Sequence, residues 1–533
     1  MSKKNIVLLI SNNQEYIRHA GREEKKYGAQ MNSIYESLSN VYIPLLNMFA
    51  ALEKDSVPFR IALVFPPVLC TLFRDPVIQQ QYIAWLDRRI ALGKQELMRC
   101  SGNTALSNAI KFYLEKAQED KFNFTVEYEQ DVIGKFLEYQ KKGNVELLAT
   151  CATNIFLPHY ADMHEVLNAQ VETGLYAHRT FFNEPPAGFW LPEMGFMPGI
   201  EKVLAAYGVK YTVLDARAFL FSEDEVAKGI FAPVQCNTDV CAFARDNRID
   251  EEVFGENGYA SASVYCDVNR DIAFALPQQE LALFFANGSA RYASGYCYYN
   301  KTAGGESCYS PEDAMEQCVR DAALFLEKKA DLLDRAASCF SDVNSASLVC
   351  TFSAEQFLRN WSEGIAWIEQ LFRHATGSSV SFALFNELLV GKSRLQCVHP
   401  YYSSTNGWGY GETLCAKKND WMMSYIRKAS ERMVDLAERF PDDTGLKARL
   451  LNLGARELML AQSCGWADMI WKEQFPEYAG ERFKESVAAF TTVFESLGSN
   501  TVSTEWLTEC EAEHPVFPWI NYRIFSRKKN ISF

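Results

Sequence analysis

The sequence predicts an α/β fold: a closed barrel that carries an insertion and is followed by an all-helical region. Three observations carry this. Short apolar runs alternate with longer amphipathic stretches over the first 400 residues. The alternation fades between about 230 and 310, where Gly, Ser, Tyr and Cys become frequent. Beyond residue 415 the pattern is helical throughout. The expected division is a barrel domain over 1–400, with its insertion at about 230–310, and a helical domain over 401–533.

The strand-like runs are 6–10, 59–65, 145–151, 188–191, 211–214 and 348–352. They lack strict polar–apolar alternation, as expected of parallel strands buried on both faces. Helical patterns such as 42–52 and 315–333 lie between them, and so many β-then-α units favour a closed barrel over an open sheet. In the insertion, Tyr292, Tyr296, Tyr298, Tyr299 and Tyr309 cluster, and loop packing is the expected reason. In the C-terminal region, Asn419 and Asp420 can cap a helix with apolar positions Met422, Tyr425, Ile426, Ala429, Met433, Leu436, Ala437 and Phe440. A second stripe, Phe483, Val487, Phe490, Phe494 and Leu497, ends at Gly498, a residue favoured just past a helix C-terminus.

Composition narrows the function classes. Across 533 residues, 48% are apolar and 23% charged, enough to bury a large core. A formal charge of -14 argues against nucleic acid as a partner, since no basic stripe is available to neutralise phosphates. The basic tail Arg527-Lys528-Lys529 reads as a solvated terminus. The fifteen scattered cysteines contain no Cys-x-x-Cys pair, and the seven histidines make no His-x-x-x-His pair. Reduced thiols in a cytoplasmic protein with neither metal nor cofactor are expected. The apolar run at 6–10 is too short for a signal peptide, and no stretch has the length of a membrane span. The 36 Phe, 25 Tyr and 10 Trp are compatible with stacking on sugar faces.

Trp190-Leu191-Pro192-Glu193 follows a strand, and in a parallel barrel the strand C-termini face the active site. A Glu in the first turn of a helix, favoured by the dipole, is the structural alternative. The segment Pro186-Ala187-Gly188-Phe189-Trp190-Leu191-Pro192-Glu193-Met194-Gly195-Phe196 closely resembles the nucleophile region of glycoside hydrolase family 57, above all its α-1,4-glucan branching enzymes. Those read roughly Gly-Phe-Trp-Leu-Pro-Glu-Cys-Gly-Tyr. Val57-Pro58-Phe59-Arg60, Gly143-Asn144-Val145-Glu146, Arg456-Glu457-Leu458-Met459-Leu460-Ala461-Gln462-Ser463 and Pro518-Trp519-Ile520-Asn521-Tyr522-Arg523 extend the likeness over essentially the whole chain.

The resemblance implies a distorted (β/α)7 barrel and a retaining reaction on α-glucan. One carboxylate attacks the anomeric carbon, and a second protonates the leaving oxygen and then activates the acceptor. Glu193 matches the nucleophile. The acid/base Asp of a Tyr-Asp-Ala-Glu-Leu-Phe-Gly-His run falls on Ser353 in Phe352-Ser353-Ala354-Glu355-Gln356-Phe357-Leu358-Arg359. The family's His-Ala-His-Leu-Pro-Tyr aligns with Ser11-Asn12-Asn13-Gln14-Glu15-Tyr16, which puts Asn13 at the second histidine. Thr-His-Gly becomes Thr153-Asn154-Ile155, Asp-Thr-His becomes Asp215-Ala216-Arg217, and Ser-Ser-Asp-Trp becomes Ser463-Cys464-Gly465-Trp466.

Rings available for glucan are Trp190, Trp361, Trp408 and Trp466, with core packing as the alternative for each. Trp408 is the strongest, because Gly407-Trp408-Gly409-Tyr410-Gly411 reads as a flexible, exposed aromatic loop. Two readings follow. One is an α-glucan transglycosidase whose acid comes from another carboxylate, Asp215 or Glu355 being nearest by motif. The other is a catalytically silent homologue that binds α-glucan or a related carbohydrate, or serves as a scaffold.

Overall fold

Nine strands form the sheet in the computed structural model, which describes residues 3–19, 26–285, 290–302, 307–340, 345–390 and 395–527. They are β1 (Lys3–Ser11), β2 (Ile61–Val64), β3 (Val145–Thr150), β4 (Gly188–Trp190), β5 (Tyr211–Leu214), β6 (Val234–Gln235), β7 (Cys241–Ala244), β8 (Ser345–Ser353) and β9 (Val380–Phe382). Seven of them run parallel in the order β1-β2-β3-β4-β5-β7, with β8 on the other side of β1.

The ring closes between β7 and β8 through the bridge Arg245–Val349, where the Asp246 N–H donates to the Val349 carbonyl at 2.7 Å. The result is the distorted (β/α)7 barrel expected from the sequence. β6 is an antiparallel addition to β7, and β9 pairs beside the first residues of β1.

The side-chain period of two along each strand sorts the apolar residues into two layers. Val7, Leu9, Ala62, Val64, Leu148, Tyr211, Val213, Phe243 and Val349 pack together in one. Ile6, Leu8, Ile10, Ile61, Leu63, Leu147 and Leu348 pack into the larger core with the surrounding helices. Both faces of β1 are therefore covered, which explains its unbroken apolar run: Ile6 to Leu9 have no exposed surface.

The six sequence-predicted runs all contain strands. The seventh barrel strand, β7, lies inside the 230–310 stretch read as an insertion, so the barrel continues to Ala244 before the irregular segment begins. Only four residues long and without a β-branched side chain, Cys-Ala-Phe-Ala gives little local strand signal. Within that segment Tyr296, Tyr298 and Tyr309 are buried; Tyr296 Oη donates to the Arg89 carbonyl and Tyr298 Oη to Glu96, so the part of these two is packing as expected.

The C-terminal region contributes helices Asp420–Arg439, Gly445–Ala461, Gly465–Trp471, Pro476–Ser499 and Thr504–Glu513. Three local expectations change. Asn419 precedes the first of these but does not cap it; its side chain instead accepts from Ala416 N–H and donates to the Thr413 and Ala467 carbonyls. Tyr425 in the predicted apolar stripe is 55% exposed. The fourth helix runs past Gly498, and the left-handed residue that ends it is Asn500 (φ 54°), whose N–H returns to Ser496. Lys528 and Lys529 of the basic tail lie outside the described residues. Among the described residues no helix is long and apolar enough to cross a membrane.

Candidate active site

Glu193 stands in a short turn, Pro192–Met194, directly after β4. It is not in the first turn of a long helix, since the next helix begins at Ile200. Its backbone is left-handed (φ 54°, ψ 18°), as is that of Met194 (φ 47°). Such a conformation costs a non-glycine residue about 1–2 kcal/mol. Surrounding bonds hold it: Thr405 N–H and Oγ1 both donate to the Glu193 carbonyl, at 2.8 and 2.9 Å, and Phe196 pairs with Ser403. Gly195 is required there because a Cβ would fall 2.7 Å from the Phe156 ring.

The Glu193 carboxyl faces a cleft at the C-terminal ends of the strands, as barrel sites do. Asn13, just past β1, donates from Nδ2 to Glu193 Oε1 at 2.7 Å. The cleft has two lobes that share Asn13, Glu193, Glu355, Arg359, Lys472 and Gln474. One, of about 410 Å³, adds Trp190, Ser353 and Thr405; the other, of about 140 Å³, adds Glu15, Asn154 and Asp468. Burial, reinforced by the charges of Asp468 and Glu355, pushes the Glu193 carboxyl up to about 7, against the opposing effect of Lys472 and the Asn13 hydrogen bond.

At the end of β8, Ser353 is the N-cap of helix Ala354–Asn360. Its Oγ accepts from Glu355 N–H at 3.2 Å, while Gln356 Oε1 accepts from the Ser353 N–H at 2.8 Å, a reciprocal capping box. Gln356 then passes the contact on, donating to Asp250, which also receives Arg245. Arg245 Nε reaches Asp215 Oδ2 at 3.0 Å, and Arg217 Nε reaches Asp215 Oδ1 at 2.7 Å. Burial raises the Asp215 carboxyl, but the Arg217 hydrogen bonds and the Arg245 charge outweigh it and hold the group below the usual carboxylate range. A carboxylate clamped by two guanidiniums is no proton donor.

Arg217 extends this network into the aromatic loop, donating to the Trp408 carbonyl at 2.6 Å and the Ser404 carbonyl at 2.7 Å. Glu412 accepts from the Trp408 and Tyr410 N–H groups. Gly409 (φ +108°) is needed because a Cβ there would meet Arg217 Nη1 at 2.4 Å. The loop is thus exposed, with Trp408 at 85%, but its backbone is pinned and not free as the glycines suggest.

The structure brings Asn13, Trp190, Glu193, Ser353 and Glu355 to one cleft. Asp215 and Trp408 join them only through Arg217 and Arg245. Two of the predicted rings are core residues instead. Trp361 is fully buried among Phe254, Tyr265 and Trp367, and Trp466 packs on Tyr478 and donates to the Leu460 carbonyl. Trp190 is also largely covered, within the barrel interior.

Glu15 was not singled out from the sequence. It is buried, its Oε1 has no hydrogen-bond partner, and burial pushes it up to about 7 despite Ser463 and Asn154 beside it. Glu15 Oε1 occupies the space over Gly465, where a Cβ would lie 1.9 Å away. Its signal was a charged residue among neutral polar ones at a strand end. Asp468 and Lys472, paired at 2.7 Å on the C-terminal region, left no such mark.

Barrel, cleft and helical region are those of the glycosyl hydrolase class of folds, and the chain belongs to glycosyl hydrolase family 57, whose model matches residues 7–379. The model for the C-terminal part of 1,4-alpha-glucan branching enzymes matches residues 425–525. The α-amylase AmyC of Thermotoga maritima is 27% identical, with a TM-score of 0.91 covering 99% of this chain and 100% of that one. A 1,4-alpha-glucan branching enzyme of Thermococcus kodakarensis is 24% identical over 487 residues, 84% of this chain and 68% of that protein. The branching enzyme of Pyrococcus horikoshii shares the fold, with a TM-score of 0.87 at 23% identity covering 99% of this chain and 98% of that one.

Proposed function

We propose that the chain is an α-1,4-glucan-binding member of the branching-enzyme type in which the conventional retaining reaction does not run. Glu193 takes the nucleophile position and Ser353 the acid/base position. The observation that carries the reading is the fate of the β8 end. A hydroxyl cannot give and take a proton near neutral pH, and this one accepts a backbone N–H at a helix N-terminus. Loss of a general acid/base removes about 10²–10⁴-fold in rate. Glu193 itself is drawn toward its protonated form, which weakens it as a nucleophile. Trp408 offers an open ring for a sugar face, and Asn13 and Trp190 line the cleft.

The changes at 15 and 465 support a rebuilt site. Where the family motifs have Pro and Asp, this chain has Glu and Gly, and the Glu15 carboxyl fills the space over Gly465. A carboxyl group has in effect crossed from the helical region to the barrel.

A second reading, an enzyme with a relocated acid, has one observation in its favour: Glu355 lines both lobes and its charge acts on Glu193. One assay separates the two. Amylose is incubated with the protein and with Glu193→Gln, and new α-1,6 branches and reducing ends are counted. The expected result is no difference between them. Turnover that Glu193→Gln abolishes overturns the silent reading, and its further loss in Glu355→Gln assigns the acid.

A further inference from the structure

A second cavity, of about 600 Å³, lies beside the cleft and is larger than either of its lobes. It is walled by helices Gly28–Ser37, Pro76–Arg99, Thr104–Phe122 and Pro311–Ser338 and by the irregular segment after β7. Ser33, Leu358, Arg359 and Phe475 line both this chamber and the smaller lobe, so the two spaces adjoin at these residues.

Its chemistry is unusual for an unused packing defect, which is apolar. Arg89 is 1% exposed and lies over the Trp85 ring; its Nη2 reaches the Gly295 carbonyl at 3.3 Å, but its Nε and Nη1 have no hydrogen-bond partner among the described residues. Glu363 lines the same space at 8% exposure; Oε1 accepts from Cys266 N–H, while Oε2, with the Tyr309 and Ser362 hydroxyls near the carboxyl, completes no hydrogen bond of good geometry among the described residues. Lys116 lines the same space and donates to Asn40 Oδ1. Tyr113, Tyr292 and Tyr309 supply ring surface. At the mouth stand side chains exposed against the usual preference: Phe112 at 38%, Met315 at 44%, Phe274 at 58% and Phe475 at 44%.

Buried donors and a buried acceptor left open in one aromatic-lined space call for a ligand that donates and accepts at neighbouring atoms while presenting an apolar face. A simple anion would satisfy Arg89 and Lys116 but be repelled by Glu363. A saccharide meets every requirement: each hydroxyl both donates and accepts, and the C–H face of the ring packs on aromatics. The volume is that of a small-molecule site. From the cavity and its unpartnered Arg89 and Glu363 atoms, we infer that this chamber is a second saccharide site, taking a short α-glucan segment apart from the cleft at Glu193.

The inference rests on the glucan reading of the proposed function, and the test keeps their failures distinct. Maltotetraose is titrated calorimetrically into the full chain, into Lys116→Ala and into Trp408→Ala, and is soaked into crystals. Two classes of site are expected. Lys116→Ala weakens one at least tenfold and leaves the other, Trp408→Ala does the reverse, and electron density for sugar appears in the chamber. If Lys116→Ala unfolds, the rim variants Phe112→Ala and Met315→Glu, both at exposed positions, take its place with the same expectation. Binding confined to the cleft and unmoved by the chamber variants overturns the second site alone. No binding at either place overturns the glucan reading as well.

Discussion

The ends of β4 and β8 open on the same cleft, yet they are built in opposite ways. At β4, two successive non-glycine residues sit in left-handed backbone, and Thr405 must hold the Glu193 carbonyl twice to keep them there. At β8, Ser353 lies in ordinary extended backbone (φ -92°) and completes a capping box. One end holds strained backbone of the kind found where chemistry is done; the other is arranged to stabilise a helix. The two strand ends are thus held by independent local devices, so on the proposed reading the Ser353 end can change without disturbing the turn at Glu193.

Four experiments break or sharpen this contrast. The largest effect belongs to Ser353→Asp. Asp caps a helix as well as Ser does, so the fold should persist. Amylose turnover should rise about 10²-fold or more if the remaining site is competent, as counted by branch points and reducing ends. An unchanged rate would show that damage reaches beyond the β8 end.

Arg217→Ala should lower stability by about 1–3 kcal/mol in chemical denaturation, by opening the buried Asp215 pair and freeing two loop carbonyls. It should also weaken maltooligosaccharide binding through the unpinned Trp408 loop. A stability loss with unchanged affinity would remove Trp408 from the binding surface.

Glu193→Gln tests the electrostatic cost of the β4 end. The folded carboxyl titrates at about 7 against an ordinary value of 4.5. Its contribution to stability is therefore fully present below pH 4.5 and is lost as pH rises to about 7. Relative to the parent, the Gln variant should gain about 1–3 kcal/mol between pH 4.5 and 7.5. A flat difference across that range would mean the carboxyl is solvated.

The smallest effects come from the two supports. Thr405→Val and Ser353→Ala should each cost about 1 kcal/mol. Only the first should alter the pH dependence of Glu193, because only Thr405 holds that turn. Equal effects on the pH profile would deny that the two ends are independent.

Much of the barrel was legible because buried parallel strands write unbroken apolar runs, as β1 and β5 do. β7 was not, since its four residues become a strand only by pairing with β5 and closing on Val349. The cleft was legible at Glu193 and Ser353, where local motifs carry the position. The clamp on Asp215 was not, because Arg217, Arg245 and the Trp408 loop converge from separate elements. For the same reason Trp361 and Trp466 could not be told from binding rings: a tryptophan beside a polar motif looks alike in sequence whether its face is covered or open.

The closure of the barrel gives the last consequence. Between β7 and β8 the ring is joined, among the described residues, through the one bridge Arg245–Val349, and Arg245 also binds Asp215, the carboxylate that orients Arg217 and its loop. Among the described residues the β7–β8 seam carries the fewest pairings of the ring, so its amides should be the first of the ring to exchange with solvent. Opening there breaks the Asp246–Val349 contact and loosens the backbone that carries Arg245, whose own N–H stays on the Leu214 carbonyl, so the seam and the Asp215 clamp are joined through one short segment.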